Sequence, residues 1–112
     1  MRIWNLTPHV VHYDDGKTQR ELPSDGAVRL AQRDEPDAPI GDMATVRTVY
    51  GGVDGLPEEL RPGDAVIVST IVADCWREGR PPGVVILTPN TGASCKRDPN
   101  GRIIAVSCFI RR

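Results

Sequence analysis

Two short apolar runs, separated by one helix-length segment, most constrain how this chain can fold. Residues 65–68 and 84–87 are wholly apolar and rich in β-branched side chains, which is typical of strands that are covered on both faces. A crossover through a single helix makes two such strands parallel neighbours, with a right-handed connection. The segment therefore predicts a β-α-β unit.

The segment between the two runs carries helix signals at both ends. Residues 70–78 place their apolar side chains on one stripe, and Ser69 occupies the position of an N-cap. Gly79 stands where a left-handed C-cap belongs, just before a Pro-Pro pair that forbids continuation. We therefore expect a helix over residues 70–78, and its apolar stripe consists of Ile71, Val72, Cys75 and Trp76.

The rest of the chain is divided by turn residues at short intervals, which favours short strands joined by hairpins. The strongest hairpin turns are residues 14–17 and 98–101, each of which contains Gly. Predicted loops include the acidic, Pro-containing residues 34–42 and the Gly-rich residues 51–57. Predicted strands are 3–6, 9–13, 18–22, 27–32, 43–50, 93–97 and 102–110. The fold class is α+β, a small mixed β-sheet or barrel with hairpins and one β-α-β unit containing a single helix, in one domain of residues 1–112.

Length and charge narrow the function classes. A chain of 112 residues can bury one core but not two. Its net charge of -1, with acids and bases interspersed, argues against a nucleic-acid binder, which usually has a clustered basic face. No apolar run approaches the length of a membrane span, and the N-terminus lacks a signal-peptide core. We therefore expect a cytoplasmic protein that binds neither nucleic acid nor membrane.

Polar residues follow both strands of the predicted β-α-β unit. Ligands tend to gather beyond the carboxyl ends of parallel strands, and backbone N–H groups at a helix start favour negative charge. The polar residues at this edge predict a binding site for phosphate or carboxylate, and we expect no cofactor and no metal. The alternative is that Ser69 only caps the helix and that residues 88–92 form an ordinary loop. The candidate ligand-binding residues are Ser69, Thr70, Thr88, Asn90, Thr91 and Gly92, with Thr7 and His9 nearby and Arg97 as a cationic partner.

Catalytic residues are harder to find. His9 could act as a general base, since His titrates near neutrality, but a lone His on a strand is more often structural. The three cysteines read as reduced thiols buried as small hydrophobes, with a structural disulfide or a metal site as alternatives. Cys95, beside Lys96 and Arg97, is the best candidate for a reactive thiol. The acidic pairs at 14–15 and 58–59 read as solvated surface.

Several short motifs, taken in order, resemble a family of small proteins from actinobacteria and their phages and prophages. They are Asn-Leu-Thr-Pro-His at 5–9, Pro-Ser-Asp-Gly-Ala-Val-Arg at 23–29, Gly-Leu-Pro at 55–57, Val-Ile-Val-Ser at 66–69 and Pro-Asn-Thr-Gly at 89–92. The resemblance spans essentially the whole chain but brings no function that could be transferred. It implies an accessory role in a phage or prophage. Members of that family often carry Asp at the position of Asn90, so a hydrogen-bonding role is implied there rather than a carboxylate role.

Three functions remain open from the sequence. The first is a non-catalytic binding domain for a small anionic, nucleotide-like ligand. The second is a small hydrolase that uses His9 and the loop at 88–92, and the third is an accessory factor that binds a protein. Under each of them we expect a homodimer, because a sheet of short strands must cover its edges.

Overall fold

The computed structural model describes all residues from Met1 to Arg112. Strands dominate it, and its one helix has six residues, so no helix is long enough to cross a membrane. In chain order the elements are β1 (Ile3–Asn5), β2 (Val11–Asp14), β3 (Gln19–Leu22), β4 (Arg29–Ile40), β5 (Met43–Asp54), β6 (Ala65–Ile67), α1 (Thr70–Cys75), β7 (Val85–Pro89), β8 (Lys96–Arg97), β9 (Ile103–Ala105) and β10 (Phe109–Arg111).

A four-stranded mixed sheet, in the order β1-β6-β7-β10, forms the centre of the molecule. β1 and β7 both run parallel to β6, while β10 runs antiparallel to β7. The predicted β-α-β unit is therefore confirmed, with Val66 beside Ile86 in register. The α+β class with hairpins is also confirmed, and the sheet is open, with β1 and β10 at its edges, rather than a closed barrel.

The core lies between one face of this sheet and α1. Side chains from three neighbouring strands, Trp4, Val66 and Ile86, share that face and are almost fully buried. Val72 of the helix and Trp76, the residue that follows the helix, belong to the same cluster. The side chains of β6 are therefore buried on both faces of the sheet, as the apolar composition of this strand predicts.

The helix is shorter than the predicted span of residues 70–78. Ser69 is the N-cap, as predicted, and its hydroxyl accepts a hydrogen bond from the Val72 N–H at 3.3 Å. The helix ends at Cys75 because the guanidinium group of Arg80 donates to the carbonyls of Ala73 (2.8 Å) and Trp76 (3.2 Å), which satisfies helix-end acceptors that a further turn would have used.

Two details of the predicted helix are therefore wrong. Gly79 has a positive φ of 71°, but it lies in the turn after Trp76 and does not cap the helix. Ile71, which was assigned to the apolar stripe, is 59% exposed. The buried stripe of a six-residue helix is narrower than the predicted one and consists of Val72 and Ala73.

Two hairpins pack beside the central sheet. The turn at 14–17 joins β2 to β3 as predicted, although β2 begins at Val11 rather than at residue 9. Tyr13 stacks on Phe109 of β10, with ring centroids 5.9 Å apart. The turn at 98–101 joins β8 to β9, and Lys96 forms an ion pair with Asp14 at 2.7 Å. The Asp14 carboxylate therefore links the two hairpins through this ion pair, and it is not simply a solvated surface group.

The predicted strand over residues 102–110 is interrupted. β9 ends at Ala105, and β10 begins only at Phe109, where the chain has left β8 and pairs with β7 instead. Val106 lies between them and forms an isolated bridge with Tyr13. The two halves of the predicted strand thus serve different sheets.

The largest departure from the sequence prediction is a long ribbon formed by β4 and β5, twelve residues each. The predicted loops at 34–42 and 51–57 are wrong, because residues 34–40 and 51–54 belong to these strands. Pro36 is tolerated because a two-stranded ribbon has free edges where no N–H is needed. Gly41, with φ of 61°, supplies the left-handed conformation of the turn.

Asp64 ties the N-terminus to the start of β6. It is buried, and its carboxylate accepts hydrogen bonds from the backbone N–H of Arg2 (2.9 Å), the indole N–H of Trp4 (3.1 Å) and the backbone N–H of Arg61 (3.1 Å). These donors stabilise the charged form. They hold the pKa of Asp64 below its usual value of 3.8, the Arg2 N–H having the largest effect.

The three cysteines are free thiols. The expectation that all three are buried is wrong, since Cys75 and Cys95 are partly exposed and Cys108 is exposed. Cys108 lies in the interruption between β9 and β10, where the alternation of a regular strand no longer applies.

Candidate functional site

The carboxyl ends of three parallel strands meet at one edge of the central sheet. Because β1, β6 and β7 run in the same direction, the residues that follow them lie close together. Thr7 and His9 follow β1, Ser69 and Thr70 follow β6, and Thr91 follows β7. All five line one groove of about 420 Å³. All five are among the ligand-binding residues predicted from the sequence.

The groove also has an apolar wall, which was not predicted. This wall comes from the start of β2 and from β9, together with the residues that flank them. Val10, Ile103 and Ile104 are 47%, 43% and 52% exposed. The two adjacent isoleucines after the turn at 98–101 were the available signal, since consecutive exposed apolar residues mark binding surfaces. The remaining apolar lining residues are Val11, Ala105, Val106 and, from the end of β7, Pro89, and His12 adds an imidazole group.

Asn5 holds the segment that carries Thr7 and His9. It is 1% exposed, and its side-chain amide donates to the carbonyls of His9 (2.8 Å) and Leu22 (2.7 Å). Its side-chain oxygen accepts from the N–H of Thr7 (3.1 Å) and from the Thr7 hydroxyl (2.6 Å). The amide thus uses both donors and its acceptor. The buried Asn5 side chain therefore holds the Asn-Leu-Thr-Pro-His motif in a folded loop, and His9 of this loop lines the groove.

Ser69 and Thr70 line the groove at the start of α1. Both are exposed. The Ser69 oxygen accepts the helix N–H of Val72, so its own O–H stays available as a donor. The helix has only six residues, so the hydroxyls, rather than a helix dipole, are the main polar groups here.

The other predicted residues lie outside the groove. Thr88 is inside β7 and fully buried, on the same face as Ile86, and its hydroxyl oxygen has no hydrogen-bond partner. The prediction placed Thr88 in a loop, but the strand continues to Pro89 and turns its side chain into the core.

Asn90, Gly92 and Arg97 shape the loop after β7 instead of lining the groove. The Asn90 side-chain oxygen accepts from the Gly92 N–H at 3.1 Å, which closes a local turn, and its amide reaches the Cys108 sulfur at 3.3 Å. Arg97 donates to the carbonyls of Gly101 (2.8 Å) and Thr91 (3.3 Å). Arg97 therefore holds the backbone of Thr91 in place, and its guanidinium group points at this loop rather than into the groove.

The ionisable side chains that line the groove are imidazole groups. Its lining contains no Asp or Glu side chain, and the two ionisable residues are His9 and His12. His12 lies 3.6 Å from a carboxylate oxygen of Glu21 on β3. No group of three or more His, Cys, Asp or Glu side chains stands together in a way that could hold a metal ion. The groove lining therefore combines hydroxyl and imidazole groups with exposed apolar surface.

Comparison of the chain with protein-family models, with curated proteins and with solved structures finds no match.

Proposed function

We propose that this protein is a non-catalytic binding domain for a small anionic, nucleotide-like molecule, and that the groove at the ends of β1, β6 and β7 is its site. The observation that carries the proposal is the lining itself. Five polar residues from three separate strand ends converge on one groove that contains no carboxylate. Pockets of this kind, mostly apolar with a few convergent polar groups, are typical of small-molecule sites.

The polar side of the groove suits oxygen-rich groups. The hydroxyls of Ser69, Thr70 and Thr91 can each donate a hydrogen bond to a phosphate or carboxylate oxygen. His9 adds an imidazole donor, which carries a positive charge when protonated. Several such bonds, at about 1 kcal/mol net each and more when charged, would orient an anionic group at this end.

The apolar side of the groove suits a flat ring. Val10, Ile103 and Ile104 present apolar surface that water now covers. Burying that surface against a base-like ring is favourable at about 25 cal/mol per Å². A ligand with a ring at one end and a negative charge at the other would contact the apolar surface with its ring and accept hydrogen bonds with its charged group.

Incubation with a bacterial small-molecule extract tests the proposal. The protein is washed and then denatured, and the released compounds are identified by mass spectrometry. We expect an anionic, ring-containing compound to be released unmodified. Conversion of a compound during the incubation would indicate the hydrolase function instead, and retention of nothing would overturn the proposal.

Matched variants of two exposed isoleucines locate the site. Ile104→Asp introduces a negative charge on the apolar wall, whereas Ile71→Asp introduces the same charge on α1, outside the groove. The two side chains are similarly exposed, at 52% and 59%. We expect only Ile104→Asp to weaken retention of the compound, by tenfold or more in affinity, measured by calorimetry with the purified compound. Equal affinities of the two variants would show that the ligand binds elsewhere.

A further inference from the structure

The β4–β5 ribbon has little support from the rest of the molecule. Its base packs on the core through Leu30 and Val53, but Ile40, Met43 and Val46 near its far end are 66%, 62% and 61% exposed. Twelve residues of strand span about 40 Å. An isolated two-stranded hairpin is marginally stable in water, so a ribbon of this length is expected to have a further partner.

The surface area of the chain points to the same conclusion. The chain exposes 7645 Å², whereas a compact monomer of this size exposes about 6,100 Å². Its radius of gyration is 17.1 Å, against about 13 Å for a compact domain of this length. The surplus of roughly 1,500 Å² is ample for a standard interface, which buries about 800 Å² on each partner.

The two edges of the ribbon differ. The β4 edge carries Pro36 and Pro39, and proline blocks edge-to-edge pairing. The β5 edge from Met43 to Asp54 has no proline, and Arg47 is its only charged residue before Asp54. The β5 edge is therefore the one open to another strand.

The pairing of Pro36 with Val46 fixes which backbone groups point outward. Since Pro36 has no N–H to donate, its pair with Val46 must be a non-hydrogen-bonded one, in which the backbone groups of both residues point away from each other. The N–H and C=O of Val46 therefore face the free edge of β5. By the alternation of the ladder, the same holds for Thr48 and Ala44.

We propose that two copies of this chain pair through their β5 strands, antiparallel about a two-fold axis at Val46, into one four-stranded sheet. The outward groups of Val46 in one copy then meet those of Val46 in the other. Ala44 of each copy meets Thr48 of its partner, so that the three residue pairs together form about six backbone hydrogen bonds. The interface is isologous, as two-fold dimers require.

The side chains of β5 suit pairing with themselves. Around an axis at Val46, Met43 lies opposite Val49, and Thr45 lies opposite Arg47. No charged residue therefore faces a like charge, which would be destabilising. Arg47 is already paired with Glu35 within its own ribbon, at 3.0 Å, so it brings no uncompensated charge to the interface.

The oligomeric state of the purified protein tests the proposal directly. Sedimentation equilibrium is expected to find a dimer, and a monomer at concentrations up to about 1 mM would overturn the proposal. Val46→Pro removes one outward N–H from each copy, two in the dimer, and is expected to raise the dimer dissociation constant at least about tenfold. An unchanged dissociation constant would also overturn it.

Two control variants separate the edge from its surroundings. Val46→Thr keeps the N–H and the β-branch, and Asp34→Pro places the same proline on the β4 edge, where it loses only the exposed Thr48–Asp34 hydrogen bond. Both are expected to remain dimers. Dissociation of the Asp34→Pro variant to the same extent as Val46→Pro would overturn the assignment to β5.

Amide hydrogen exchange in the unmodified protein gives a test that requires no variant. In the dimer the Val46 N–H is hydrogen-bonded to the second copy, whereas the Asp34 N–H on the β4 edge faces water. We expect Val46 to exchange at least about tenfold more slowly than Asp34. Equal exchange rates in a protein that sediments as a dimer would place the interface elsewhere.

Discussion

Replacing Asn5 with Ala tests whether the buried amide braces the loop that carries the groove. The side chain makes four hydrogen bonds, two as a donor and two as an acceptor, in a position that is 1% exposed. In the Asn5→Ala variant the Thr7 hydroxyl can still donate to the carbonyl of His9, to which it already lies at 3.1 Å. The variant nevertheless loses three hydrogen bonds: those from the Asn5 amide to the carbonyls of His9 and Leu22, and the one from the Thr7 N–H to the Asn5 oxygen.

The expected loss follows from these three interactions. At about 1 kcal/mol net for each hydrogen bond, Asn5→Ala should lower the free energy of unfolding by about 3 kcal/mol. That is a large part of the roughly 5–15 kcal/mol available to a domain. Asn5→Asp should cost at least as much, because a carboxylate cannot donate and would face the carbonyls of His9 and Leu22.

Urea denaturation followed by circular dichroism measures this change. Thr7→Val is the matched control, since it removes one hydroxyl of the same network and should cost only about 1 kcal/mol. The slope of unfolding free energy against urea should stay the same, so that the midpoint reports stability. If Asn5→Ala costs less than about 1 kcal/mol, the buried amide does not stabilise this loop.

Four further substitutions or reactions test other parts of the structure. Thr88→Val replaces a buried, unpartnered hydroxyl with a methyl group and should stabilise the fold by about 1 kcal/mol; a lower urea midpoint would mean that the hydroxyl has a partner. Gly79→Ala should destabilise by about 1 kcal/mol because φ is 71° there, and an unchanged midpoint would contradict that conformation. The donors around Asp64 keep its pKa in the folded protein below 3.8, so its stabilisation is fully present above about pH 4 and is lost as the pH falls through the lowered pKa. Asp64→Asn should therefore destabilise at pH 7, and the gap in melting temperature from the parent should narrow below pH 4; a constant gap would refute this. Cys108 is the exposed thiol and should react first with a thiol reagent in the folded protein, which peptide mapping would check; prior labelling of another cysteine would contradict its placement.

The β-α-β unit could be predicted because its signals are local. All of them lie within about 25 residues: the apolar run of β6, the N-cap at Ser69 and the second apolar run before Pro89. Each pattern can be recognised from the residues of its own short segment. A short parallel crossover then leaves only one topology. The position of the groove at the carboxyl ends followed from that topology alone.

The ribbon could not be predicted because its stability comes from pairing across the strands. Residues 34–42 are acidic and contain two prolines, which locally favours a loop. In the folded chain Glu35 lies opposite Arg47, and Asp34 accepts a hydrogen bond from Thr48. Those partners lie 12 and 14 residues away, so no short window contains the interaction that decides the structure.

The same limit explains which part of the groove was missed. Its apolar wall depends on where the β8–β9 hairpin packs, and that placement rests on contacts between distant residues. Lys96 reaches Asp14 across 82 positions in sequence, and Tyr13 stacks on Phe109. Thr88 was misplaced for a different reason. The strand runs two residues beyond the predicted end, and a shift of that kind changes a loop side chain into a core side chain.

The buried Asn5 and the exposed His9 have different roles in the N-terminal motif. Asn5 has all its hydrogen-bonding groups engaged within the protein, so it has nothing left to offer a ligand, and its effect on binding must pass through the loop it holds. His9 is exposed in the groove, and only its backbone carbonyl is engaged by Asn5. Its imidazole is therefore free for a ligand. Under the proposed function, loss of the Asn5 amide should reduce stability and ligand affinity together, whereas loss of the His9 imidazole should reduce affinity alone.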